Sequence, residues 1–276
     1  MKTVQRCLIS IICLISFMSP AYALDPPQTP LLRIETGRHT SIIRRIDTDR
    51  SGRWLVTASE DKTARVWELP SGRLTQTLRP PIADGFEGEL RSIAISPDGA
   101  LVAAGGWTQI GNSNGRTSLY IFSRKDGHLV GRTEGHTDLI THLKFSPDGK
   151  MLVAVQAALG IRLYEVHTGS DMPLRLVAQD TSYGNQSYGA DFSPDGKQLA
   201  TSSYDGFIRI YDIAAFKKNP NQTISPVTRG KAPGDNYLST VKFSPDGTRL
   251  AVGFSNVPRV NVLSIPDLAV LYSPST

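Results

Sequence analysis

The chain has 276 residues, 39% hydrophobic and 20% charged, with 24 glycines, 18 prolines and a formal charge of +5. That balance suits a globular protein with a real core and excludes a long coiled coil, a helical solenoid or a disordered charged tail. The charge is small and evenly spread, so it gives no footing for nucleic-acid binding.

The N-terminus reads as a processing segment. Lys2 and Arg6 precede an apolar run, Cys7 to Met18, which Pro20 ends before Ala21-Tyr22-Ala23, a small-x-small cleavage site. Twelve helical residues span roughly 18 Å, short of the ~30 Å hydrocarbon core, which favours a cleaved signal over a membrane anchor. Residues 1–23 are therefore predicted to be a signal peptide, and the product a periplasmic or secreted protein without membrane contact. Cys7 and Cys13 are the two cysteines, so the processed chain, starting at Leu24, has no disulfide, thiolate or cysteine metal site. Residues 24–30, with three prolines, read as an extended tether.

From residue 31 onward the chain repeats itself. Ser-Pro-Asp-Gly occurs at 96–99, 146–149, 193–196 and 244–247, preceded by a weaker copy, Asp49-Arg50-Ser51-Gly52. The period is roughly fifty residues. Proline presets φ and the final glycine accepts positive φ, so each is a tight turn. An alternating run precedes each turn. A small apolar run, a β-branched run, a second turn and a fourth run follow, as in Trp54–Ala58, Ala64–Leu69, Pro70-Ser71-Gly72 and Leu74–Leu78. Four short strands per period read as propeller blades, at about 37–78, 79–133, 134–180, 181–230 and 231–273.

The first repeat adds Asp61-Lys62-Thr63-Ala64-Arg65-Val66-Trp67-Glu68, with His39 thirteen residues before Gly52. This resembles the Asp-x-Thr-x-Arg-x-Trp-Asp signature of WD-repeat (WD40) proteins, here of a bacterial exported type. The resemblance implies an all-β propeller and a structural network of His39, Thr57, Asp61 and Trp67. A buried carboxylate needs donors and an indole N–H needs an acceptor, which such a relay supplies. In the third repeat His136 remains, but Ala154, Ala158 and Tyr164 take the other places, so Tyr164 is expected to act by packing alone. The fourth keeps Thr201, Asp205 and Tyr211, with Tyr183 at the histidine position. The second has Phe122 and the fifth Val262 for tryptophan.

Strand counting predicts an open ring. Five complete four-strand units fit the chain, and Leu31–Thr36 has the chemistry of one more fourth strand without three partners. WD-repeat propellers usually have seven blades. A partial propeller and closure in trans with another chain are both predicted ahead of a compact five-blade ring. Open blade edges imply self-association.

Chemistry-bearing motifs are sparse. Asp47–Gly52 resembles the start of an EF-hand loop but has Ala58 where the bidentate carboxylate belongs. No P-loop, dinucleotide fingerprint or Gly-x-Ser-x-Gly occurs. No catalysis, cofactor or metal is expected. By the resemblance, partner contacts lie three residues after each histidine position: Ile42, Glu89, Leu139, Gln186 and Tyr237. These suit a protein or peptide partner, although Ile42 and Leu139 equally suit packing inside a strand. Trp107, in the glycine-rich stretch Gly105–Gly115, is either a further contact on a surface loop or folded back over its blade. The function expected is a non-catalytic interaction platform. The alternatives are a lactonase-like or Tol-system-like periplasmic propeller, or the N-terminal propeller of a larger protein with an enzymatic domain downstream.

Overall fold

The computed structural model describes residues 36–82, 85–108, 117–167, 169, 173–216, 222–233 and 237–274. The signal peptide, the tether, Leu31–Glu35 of the proposed extra strand and residues 109–116 lie outside the described residues. The strands fall into five antiparallel meanders that run in sequence order from first strand to fourth. The first blade comprises β1 (Ile43–Thr48), β2 (Trp54–Ser59), β3 (Thr63–Glu68) and β4 (Arg73–Leu78). The second has β5 (Glu89–Ile95), β6 (Leu101–Trp107), β7 (Thr117–Ser123) and β8 (Leu129–His136). The third has β9 (Ile140–Phe145), β10 (Met151–Gln156), β11 (Gly160–Val166) and β12 (Leu174–Asp180). The fourth has β13 (Ser187–Phe192), β14 (Gln198–Ser203), β15 (Phe207–Asp212) and, after α1 (Ile213–Phe216) and β16 (Gln222–Thr223), β17 (Thr228–Lys231). The fifth has β18 (Leu238–Phe243), β19 (Arg249–Phe254), β20 (Val260–Ser264) and β21 (Val270–Tyr272). These are propeller blades.

The turns show why the repeat has its sequence. Gly99 adopts φ 70°, and its amide donates to the Ser96 carbonyl at 2.8 Å. The Ser96 hydroxyl accepts the Leu101 amide at 2.9 Å, while Asp98 accepts the Ala100 amide at 3.0 Å. The serine and aspartate thus consume the amides that a chain reversal leaves free. Gly149, Gly196 and Gly247 repeat the geometry at φ 73°, 71° and 73°. In the weaker first copy Asp49 replaces the serine and accepts the Trp54 amide at 2.8 Å.

One sheet departs from the four-strand expectation. β16 adds in parallel to β12, making the third sheet five-stranded. The fourth blade delays its last strand. Its connection first buries Ile213 and Phe216 and then pairs along the third blade's outer edge, saturating backbone groups there.

Blades pack face to face through fixed register positions. Counting back from each turn glycine, the ninth and sixth residues lie in the first strand and bury against the preceding blade. They are Leu90 and Ile93, Ile140 and Leu143, Ser187 and Ala190, Leu238 and Val241, none more than 2% exposed. Polar atoms lock three of the junctions. Asp47 accepts the Ile95 amide at 3.1 Å, His142 Nδ1 the Ala190 amide at 3.0 Å, and Asp191 the Phe243 amide at 2.9 Å. Burial pushes the His142 imidazole well below its usual basicity, and the cations Arg45, Lys144 and Lys242 add to this, so it stays a neutral acceptor. The first strands of all five blades line an axial cavity of about 320 Å³, which Arg50, Lys144, Asp191 and Lys242 reach.

Candidate functional site

The histidine-to-tryptophan network is assembled in the first blade. The Trp67 indole N–H donates to Thr57 Oγ1 at 2.9 Å, and Thr57 meets His39 Nε2 at 2.7 Å. His39 Nδ1 meets Asp61 Oδ2 at 2.8 Å. Asp61 also accepts the Thr40 and Thr63 amides, both at 3.0 Å. Burial opposes ionisation of Asp61, but the hydrogen bonds from His39, Thr63 and the Thr40 amide outweigh it and hold the carboxyl far below its usual range. The network ties the segment before β1 to the β2–β3 turn, so it is a structural clamp. Its tryptophan is only half-buried, whereas Phe122, Tyr164 and Tyr211 in the same place are 2%, 3% and 0% exposed.

Two other blades build substitutes. In the fourth, the Tyr183 hydroxyl meets Thr201 at 2.7 Å and Tyr211 at 2.9 Å. Tyr211 donates to Asp180 at 2.7 Å, so that carboxylate terminates the chain. Asp205 stands apart and pairs with Arg209. In the third, Tyr164 does not act by packing alone: its hydroxyl lies 2.9 Å from His136 Nε2. The longer reach of tyrosine, relative to the missing threonine relay, closes the gap to the histidine. Burial, aided by the nearby Arg162 charge, lowers the His136 pKa to about 3.

The residues proposed for partner contact share one end of the propeller. The carbonyls of Ile42, Leu139, Gln186 and Tyr237 accept the amides of Glu60, Ala157, Tyr204 and Ser255, at 3.1, 3.0, 2.8 and 2.9 Å. Glu89 pairs with Trp107 at the same register. Ile42 is 55% and Tyr237 47% exposed, Gln186 is exposed, and Leu139 and Glu89 are half-buried. Trp107 is the last residue of β6, so it belongs to a strand rather than to the expected loop. Gly105 and Gly106 share that strand because first-strand atoms crowd them. A Cβ on Gly106 would meet the Glu89 carbonyl at 2.2 Å.

Sequence reading missed the residues that give this face its chemistry. Each first strand carries a bulge at one register, where Arg44, Arg91, Thr141, Tyr188 and Ser239 have no cross-strand partner. Bulges re-aim side chains. Across the first two blades Arg44 reaches Glu60 at 2.6 Å, and Arg91 reaches Glu60 at 2.8 Å and Glu89 at 3.5 Å. Across the fourth and fifth, Tyr188 stacks on Tyr204 with centroids 4.4 Å apart, and Tyr204 lies 4.8 Å from Tyr237. Tyr188 also donates to Gln186 at 2.7 Å. Burial, then the neighbouring Tyr204, pushes the Tyr188 hydroxyl above its usual pKa. The face is thus ionic on one side and aromatic on the other. Two periodicities carry the signal, the eighth residue before and the eighth after each turn glycine. Among the described residues no group of three or more His, Cys, Asp or Glu is placed to hold a metal, and no helix is long and apolar enough to cross a membrane.

Comparison with known proteins agrees with this geometry. The family model "WD domain, G-beta repeat" matches residues 31–68, 127–159 and 181–212. The first segment carries the whole first-blade network, the second carries His136 and the third carries Tyr183, Thr201 and Tyr211, while Tyr164 and Asp180 lie just outside them. The chain is similar to the WD40-repeat family, and its described residues form an all-β protein of five four-stranded blades. It is 27% identical over 218 residues to pre-mRNA-processing factor 19 of Oryza sativa subsp. japonica, covering 78% of this chain and 37% of that protein. It is 30% identical over 168 residues to a ribosome biogenesis protein BOP1 homolog of Anopheles gambiae, covering 60% and 18%. It is 32% identical over 123 residues to coronin-7 of Rattus norvegicus, covering 44% and 12%. The chain therefore spans well under half the length of these relatives. All three are eukaryotic, so they lend no support to a bacterial exported subtype.

Proposed function

We propose that the chain is a non-catalytic platform that binds a protein partner through the loop face of its propeller. The observation that carries this reading is the continuous stack Tyr188–Tyr204–Tyr237, held across two blades and ending on a half-exposed ring. Rigid aromatic rings bury large area at low entropic cost, which is the chemistry of peptide and protein contact. The ion-paired side formed by Arg44, Glu60, Arg91 and Glu89 supplies orientation more than affinity. Relatives named as a pre-mRNA-processing factor and a ribosome biogenesis protein are in keeping with a scaffold of this kind.

A photo-crosslinking residue at position 237, compared with one at Lys197 in a Ser-Pro-Asp-Gly turn, tests the reading in the native cell. A dominant protein adduct from position 237 that disappears with Tyr204→Ala supports it. Equal labelling from both positions refutes it. We also propose that the protein is exported, from the charged, apolar and small-x-small succession of residues 1–23. Intact mass of the cellular protein is expected to place its N-terminus at Leu24, and a retained Met1–Ala23 would overturn export.

A further inference from the structure

Two faces of the propeller lack the cover that every other blade has. Ile43 and Ile46 occupy the ninth and sixth positions before Gly52, yet are 48% and 63% exposed. Their counterparts in the other four blades are at most 2% exposed. Leu55, behind them on β2, is only partly buried, while the matching Val102, Leu152, Leu199 and Leu250 are all at 0%. At the far end, Ala251 and Val262 form a cross-strand pair on the fifth blade and are both only partly buried. The matching pairs Val56 and Val66, Ala103 and Ile121, Val153 and Leu163, Ala200 and Ile210 are at most 1% exposed. Tyr272, paired with Val262 on the same face, is 51% exposed.

These two faces are the two halves of one junction. Each of the four internal junctions presses the first-strand residues of one blade onto the second- and third-strand pair of the blade before it. β1 offers the first half, with Ile43 and Ile46. The fifth blade offers the second, with Ala251, Val262 and Tyr272. We propose that a second copy of this chain docks head to tail, with β1 of one copy seated on the outer face of the other copy's fifth blade. The occupant is a second copy because this one chain carries both complementary halves, in the register its own interior already uses four times. Apolar patches of this kind on a sheet face mark contact surfaces. Because the halves differ, the contact is heterologous, and it either closes a ring or extends.

Light scattering after gel filtration of the full chain, of Ile46→Glu and of Val262→Glu tests this. Both substituted positions are solvent-accessible, so neither charge is forced into a core. The wild type is expected to run as a dimer or a higher multiple, and each variant as a monomer. An equimolar mixture of the two variants is expected to form a 1:1 dimer and nothing larger. In that mixture Ile46→Glu retains an intact fifth-blade face and Val262→Glu an intact β1. A monomeric wild type, a variant that keeps the full oligomer, or a mixture that stays monomeric would each overturn the proposal. Alkylation of Ile46→Cys, followed by mass spectrometry of the peptide bearing that residue, separates the remaining occupants. Protection that vanishes on adding Val262→Glu supports a second copy. Protection that persists in the resulting monomer means that the chain covers its own β1, and the proposal fails.

Discussion

Thr57 is the pivot of the first-blade clamp, and replacing it by valine isolates what its hydroxyl does. Valine keeps the branched shape and β-propensity, so the lost hydroxyl is the main change. Two groups lose their partner: the Trp67 N–H, bonded at 2.9 Å, and His39 Nε2, bonded at 2.7 Å. A stranded buried polar group costs about 1–3 kcal/mol. The His39 side chain is 4% exposed and has no route to water. Trp67 is half-buried, because it faces the uncovered side of the first blade, so its N–H recovers a solvent partner. The loss for Thr57→Val is therefore about 2–3 kcal/mol, most of it at the histidine. Thr57→Ser keeps the hydroxyl and is expected to cost under about 1 kcal/mol. The same exposure moves Trp67→Ala to about 3 kcal/mol, the lower end for a large aromatic. Urea unfolding with linear extrapolation measures all three, with an unchanged slope as the sign that the unfolded state is the same. In a His39→Phe background Thr57→Val should lose most of its effect, since the stranded acceptor is gone. If serine proves as damaging as valine, the hydroxyl relay is not what holds the β2–β3 turn.

Other substitutions probe the remaining blades. Tyr164→Phe is expected to cost about 1–2 kcal/mol by removing the hydroxyl that bonds His136 Nε2, and unchanged unfolding would show that this tyrosine only packs. Asp191→Ala should cost about 2–3 kcal/mol, because it strands the buried Phe243 amide that joins the fourth blade to the fifth, and proteolysis should then release the fifth blade first. His136 makes stability pH-dependent. Its folded pKa of about 3 lies below the unfolded 6.5, so its neutral form is fully compatible with folding above pH 6.5. As pH falls from 6.5 towards 3 the unfolded chain binds a proton that the folded one refuses. Stability then declines by up to about 1.4 kcal/mol per pH unit for this residue. His136→Gln should flatten that decline between pH 6.5 and 4.5, leaving the share of His142. An identical slope in the variant would contradict the assignment.

Local chemistry determined much of this protein without tertiary information. The Ser-Pro-Asp-Gly turns, the period-two runs between them and the aspartate-to-tryptophan segment of the first repeat act over a few residues. They set the five blades and placed His39, Thr57, Asp61 and Trp67 within hydrogen-bonding reach. The exchange of partners in the weaker repeats was not legible. Whether Tyr164 reaches His136, or Tyr211 turns to Asp180 rather than to Asp205, depends on side-chain reach across strands far apart in sequence. The loop face follows the same division. Its contact register is periodic in the sequence, but the bulges that lift Arg44, Arg91 and Tyr188 out of pairing appear only when two strands are laid side by side. Burial was the last quantity to be decided by the tertiary structure. Ile46 and Ile93 are the same residue at the same step of the repeat, and one is 63% exposed while the other is 2% exposed. A side chain's own chemistry states its preference for burial, but only a neighbouring blade can supply the cover.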